Sequence, residues 1–137
     1  MERKLSEETL KEFLIIQQKE IDGAVIYQKL QTLTDDEELK AAFREASADE
    51  GCHAAILKGF TNKTLVPEEN AGEALLQLAA ECGLAELLER LSKAEYSGYD
   101  MYAPYAREYP ELRTIMADEV KHGDSMAAQA KRLLEQR

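Results

Sequence analysis

The two histidines of this chain, His53 and His122, stand in matching surroundings. Ala48-Asp49-Glu50-Gly51-Cys52-His53 and Ala117-Asp118-Glu119-Val120-Lys121-His122 both read A-D-E-x-x-H. On a helix, residues three apart share a face, so each Glu/His pair can offer a carboxylate oxygen and an imidazole nitrogen to one cation. A second pair of segments repeats E-x-x-G-x-x-x-Y: Glu20-Ile21-Asp22-Gly23-Ala24-Val25-Ile26-Tyr27 and Glu95-Tyr96-Ser97-Gly98-Tyr99-Asp100-Met101-Tyr102. Glu20, Glu50, His53, Glu95, Glu119 and His122 together supply four carboxylates and two imidazoles, a donor set that accepts iron, manganese or zinc. Four carboxylates also balance the charge of two divalent ions, so the expectation is a two-metal site, one suited to redox chemistry.

These residues need rigid helices to carry them. Prolines occur only at 67, 104 and 110, and the stretches between are rich in Ala, Leu, Glu, Lys and Gln, all strong helix formers. Ser6, with Glu7 and Glu8 behind it, starts a first helix running to about Thr32. Thr34-Asp35-Asp36-Glu37 turns the chain and caps a second, to about Phe60. After a break at 61–67 a short helix covers about 68–82, Gly83 punctuates, and a third long helix runs over about 84–108. Tyr109-Pro110 then opens a fourth, about 111–135. Two short connections make antiparallel hairpins, and the long crossover between them completes a single all-α domain, 1–137, folded as an antiparallel four-helix bundle.

Core stripes at helical spacing read Phe13, Ile16, Glu20, Gly23, Tyr27, Leu30; Leu39, Phe43, Ala46, Glu50, His53, Leu57, Phe60; Leu84, Leu88, Leu91, Glu95, Gly98, Tyr102; and Leu112, Ile115, Glu119, His122, Met126, Ala130, Leu133. Each stripe is interrupted mid-helix by a charged group. Buried carboxylates are costly unless paired, and converging ones repel, so a cation is expected among them. Register agrees: Glu20 and the Glu50/His53 pair are about equally far from the first turn, as are Glu95 and the Glu119/His122 pair from the second.

The doubled motif resembles the ferritin-like di-iron domain of the rubrerythrin family over nearly the whole chain. The resemblance implies a ferritin-like bundle holding two iron ions, with Glu50 and Glu119 bridging them and Glu20 and Glu95 terminal. Tyr27 and Tyr102 match tyrosines that hydrogen-bond the ligand carboxylates. It further implies a peroxidase-like oxidoreductase reducing hydrogen peroxide, with electrons from an external rubredoxin-like protein or flavoprotein, and a homodimer. Many members carry a rubredoxin domain, absent from this sequence, and a Glu where this chain has Gly98. The alternatives are a ferroxidase or iron-handling protein using oxygen, and a non-enzymatic metal-binding bundle.

Asp49 and Asp118, next to the ligands, are expected to hold the ring N–H of the histidine from the other hairpin. Gly23 and Gly98 either let ligands and helices approach closely or, at 98, open a small substrate cavity. Tyr96, Tyr99, Tyr105 and Tyr109 read as solvated face, packing or part of a dimer face. Cys52 and Cys82 lack metal-binding spacing and read as reduced thiols in a helical core, with Cys52 turned off the ligand face. Lys and Arg number 17 against 27 Asp and Glu, a net charge of −10 that argues against nucleic-acid and anionic-membrane partners. The beginning, Met1 to Glu8, has no apolar signal core, and no apolar run approaches the roughly 20 residues of a membrane span, so a cytoplasmic protein is expected.

Overall fold

The computed structural model describes residues 4–136; Met1-Glu2-Arg3, at the head of the segment read as lacking a signal core, lies outside the described residues, as does Arg137. All regular elements among them are helical: α1 (Glu7–Leu30), α2 (Glu37–Thr61), α3 (Glu73–Cys82), α4 (Leu84–Tyr102) and α5 (Leu112–Glu135), with 3-10 turns at Gln31–Leu33 and Ala103–Tyr105. The expected all-α chain of two helix hairpins joined through a short helix is observed: α1 packs along α2, and α4 along α5. The contacts divide the chain into two compact units, Met1–Ala74 and Leu75–Arg137, each built on one hairpin. No helix among the described residues is long and apolar enough to cross a membrane.

In the first unit both helices begin at side-chain caps. Ser6 Oγ accepts from Thr9 N–H at 3.1 Å, and an Asp36 carboxylate oxygen accepts from Leu39 N–H at 2.9 Å, each satisfying an otherwise orphaned donor. Thr34 Oγ1 accepts from Asp36 N–H at 3.1 Å, which shapes the turn between them. Asn62, left-handed at φ 58°, closes α2. Phe13 meets Phe60 edge-on at 5.6 Å, and Tyr27 lies 6.1 Å from Phe43. The segment after α2 is then tied along α1: Gln17 Nε2 donates to Lys63 O at 2.9 Å, Gln18 Nε2 to Val66 O at 2.9 Å, Glu68 N–H to Asp22 Oδ1 at 2.9 Å, and Lys29 Nζ to Ala71 O at 2.6 Å.

That strap corrects the short crossover helix, expected from about 68. Residues 62–68 form no regular element, 69–72 form a turn, and α3 starts only at Glu73; α1 side chains take Lys63 O, Val66 O, Glu68 N–H and Ala71 O, and the segment's own bonds, Ala71 N–H to Glu68 O and Glu73 N–H to Asn70 O, close single turns only. In the second unit, Gly83 at φ 88° precedes α4. The third long helix was expected to reach about 108, yet α4 ends at Tyr102 and a 3-10 turn holds Pro104. Proline lacks the N–H an α-helical interior needs and disfavours helical backbone in the residue before it. The other ends fall within a residue or two of expectation.

Candidate metal centre

The interrupted stripes are confirmed in each helix. Glu20 and Glu50 are 4% and 6% exposed and His53 1%; Glu95 and Glu119 are 6% and 4% and His122 2%. Six ionisable side chains are therefore withdrawn from water at mid-helix positions, where apolar residues would cost nothing to bury.

In the first hairpin α1 supplies Glu20, and α2 supplies Glu50 and His53 from adjacent turns. Each offers a ligand atom within 4.8 Å of the others. His53 Nδ1 is 3.2 Å from Glu20 Oε2 and 3.8 Å from Glu50 Oε2, so this ring nitrogen is the one aimed at the carboxylates. The second hairpin repeats the arrangement with Glu95 from α4 and Glu119 and His122 from α5, again within 4.8 Å of one another. His122 Nδ1 is 3.5 Å from Glu95 Oε2. Oxygen and nitrogen donors at these separations can all reach one cation at about 2.0–2.2 Å. A cation would also replace like-charge repulsion between buried carboxylates with attraction, so the residues fit a metal, and these buried Glu/His groups could hold a metal pair.

The glycines of the E-x-x-G motif earn their place by close approach. A methyl built on Gly98 would stand 2.8 Å from Glu119 Oε2 and 3.2 Å from its Cδ; on Gly23 it would stand 3.4 Å from Glu50 Cδ. In both hairpins the carboxylate of the E-x-x-H pair lies across the bare face of the facing helix. At 98 this decides between the two readings: the room left by the missing side chain is filled by Glu119.

Of the remaining residues singled out from the sequence, Tyr27 and Tyr102 are buried, at 4% and 0% exposure. Asp49 and Asp118 are half-buried, next to Glu50 and Glu119 in the chain, with Asp118 Oδ1 3.6 Å from Lys121 Nζ on its own helix. The cysteines require a correction: Cys52 and Cys82 are both exposed free thiols rather than core residues. Cys52 does turn off the ligand face, since successive helical positions diverge by about 100°; Cys82 is the last residue of the short α3, which buries none of its side chains.

One arrangement has no counterpart among the sequence expectations. Tyr96, next to Glu95, lays its ring over Gly123, next to His122, and its hydroxyl donates to Asp124. Ser92 Oγ donates to Gly123 O at 2.7 Å, so α4 grips the α5 backbone directly beside His122. The hydrogen bond to Asp124, then desolvation and the charge of Asp124, hold the Tyr96 hydroxyl above its ordinary pKa of 10.0, with a bond from Ser92 opposing. The signal in the sequence was a glycine following His122, opposite an aromatic residue following Glu95. No family model matches this chain, and neither a curated protein nor a solved structure is similar to it.

Proposed function

We propose that the chain is a non-haem di-iron oxidoreductase, with Glu20, Glu50, His53, Glu95, Glu119 and His122 holding two iron ions. The observation that carries this reading is the repetition of one buried Glu plus Glu-x-x-His set in both hairpins, with matched charge and donor types. A chain needing a single structural ion has no use for a second set of buried carboxylates, whereas four carboxylates neutralise two divalent ions. The resemblance of the doubled motif to the rubrerythrin di-iron domain favours hydrogen peroxide as the oxidant and an external donor of electrons.

When bound, the iron pair supplies two-electron redox chemistry. The chain's own residues do the rest. By the resemblance, Glu50 and Glu119, laid over Gly23 and Gly98, would be the carboxylates shared by the two ions, and Glu20 and Glu95 would each hold one. His53 and His122 would bind through Nδ1, the ring nitrogen facing the carboxylates, and that nitrogen would have to be unprotonated to do so. Asp49 and Asp118 would receive the opposite ring N–H, fixing the tautomer and ring orientation. Tyr27 and Tyr102 would hydrogen-bond ligand carboxylates and keep water from the buried faces.

The test is anaerobic loading with two Fe(II) per chain, then stopped-flow mixing with equimolar hydrogen peroxide or oxygen while the near-ultraviolet absorbance of oxidised iron is followed. Oxidation by peroxide much faster than by oxygen is expected. Equal or faster oxidation by oxygen, with ferric iron released, would make the protein a ferroxidase. Failure to bind iron at all would refute the reading.

A further inference from the structure

The two hairpins carry the same motif but do not fit their carboxylates equally tightly. A methyl at position 23 would meet Glu50 Cδ at 3.4 Å and Oε2 at 3.6 Å, ordinary contact distances. A methyl at 98 would meet Glu119 Oε2 at 2.8 Å, nearer than a methyl group approaches an oxygen in folded proteins. Something must shift there, and Glu119 is not a free surface side chain: it is 4% exposed, with a ligand atom within 4.8 Å of those of Glu95 and His122.

The α5 backbone has little room to retreat either. A methyl on Gly123 would come within 2.5 Å of the Tyr96 ring, and Ser92 anchors Gly123 O. In the first hairpin the residue after the histidine is Ala54, which already carries its methyl. The second hairpin therefore seats its Glu-x-x-His helix against α4 at two positions that exclude a side chain, one beside each ligand.

We infer that Gly98 is a positioning residue particular to the second hairpin: its missing side chain holds the Glu119 carboxylate toward Glu95 and His122, whereas Gly23 is replaceable. The inference rests on the proposal that these carboxylates and histidines bind metal. A side chain at 98 turns Glu119 out of the set, so the position admits neither a methyl nor an additional carboxylate ligand.

The test is Co(II) titration of the whole chain, followed by the visible absorption of bound Co(II) and by chelator competition, for the unaltered protein, Gly23→Ala and Gly98→Ala. Gly98→Ala is expected to weaken Co(II) binding at least about tenfold, the scale at which supporting residues act on metal affinity, and Gly23→Ala by less than about threefold. In a Glu119→Ala background, Gly98→Ala should cause no further loss, because the colliding carboxylate is gone. Far-ultraviolet circular dichroism checks folding: if Gly98→Ala unfolds the chain and the Glu119→Ala double variant restores it, the collision is again supported. Unchanged binding by Gly98→Ala, equal weakening by Gly23→Ala, or a further loss or failure to fold in the double variant would each overturn the inference. Absence of Co(II) binding by the unaltered protein would instead refute the metal-binding proposal beneath it.

Discussion

At the scale of single residues, the buried charged set was legible because charge at core spacing is self-announcing: Glu20, Glu50, Glu95 and Glu119 interrupt apolar stripes, and each is buried as that implied. The Tyr96, Gly123 and Asp124 arrangement was not singled out, because a helical tyrosine beside a core position reads equally well as solvated face or packing until its partner across the hairpin is in place. The same burial carries a stability cost. Replacing Glu50 or Glu119 by Gln keeps the shape and removes one like charge, so the metal-free protein should gain about 1 kcal/mol in urea unfolding while metal binding falls sharply. Loss of stability in the metal-free Gln variants would show that the carboxylates are stabilised without a cation. Tyr96 gives a separate test. Its raised pKa means the fold favours the protonated hydroxyl; the contribution is complete below the ordinary tyrosine value of 10.0 and disappears as pH rises through the higher folded value. Ultraviolet titration should show one tyrosine fewer ionising late in Asp124→Ala than in the unaltered protein, because the larger part of the upward shift comes from Asp124.

At the scale of elements, helix starts were readable wherever a capping side chain or a proline marked them, as at Ser6, Asp36 and Pro110. Ends and crossovers were less so. α4 stops at Tyr102 because of Pro104, whose local effect outweighs the helical composition extending to 108. The late start of α3 has a different origin: Gln17, Gln18, Asp22 and Lys29 bind the backbone of the crossover, and long-range side-chain contacts of this kind leave no periodic trace in the sequence. The caps are separable from the metal chemistry. Asp36→Ala removes the acceptor for Leu39 N–H at 2.9 Å and should destabilise the protein by about 1 kcal/mol in urea unfolding. Because α2 also carries Glu50 and His53, metal affinity measured on the folded fraction should stay unchanged; a parallel loss of affinity would mean that the start of α2 governs its middle.

At the scale of the whole molecule, the chain consists of two units, each repeating one hairpin with two buried glutamates and a buried histidine, on a background of ten excess negative charges. Without a cation both features oppose folding, since buried carboxylates lose hydration and a strongly acidic chain repels itself. Metal bound only by the folded chain reverses the first and reduces the second. At free metal a hundredfold above Kd, linkage adds about 2.7 kcal/mol per site, which for a chain of this length raises Tm by roughly 10 °C. Co(II) or Zn(II) should therefore raise Tm in differential scanning calorimetry, and a chelator should reverse the rise. The sign with pH follows from the donors: histidine must be neutral and glutamate ionised to bind, so protons compete with the metal. The metal-induced rise should shrink as pH falls from 7 toward 5 and vanish in a His53→Ala, His122→Ala double variant. Sodium chloride screens the surface charge but not the buried sets; it should narrow the gap between metal-bound and metal-free protein only modestly. If salt abolished the gap, the metal would be acting as a counterion to the acidic exterior rather than as a ligand-bound ion in the hairpins.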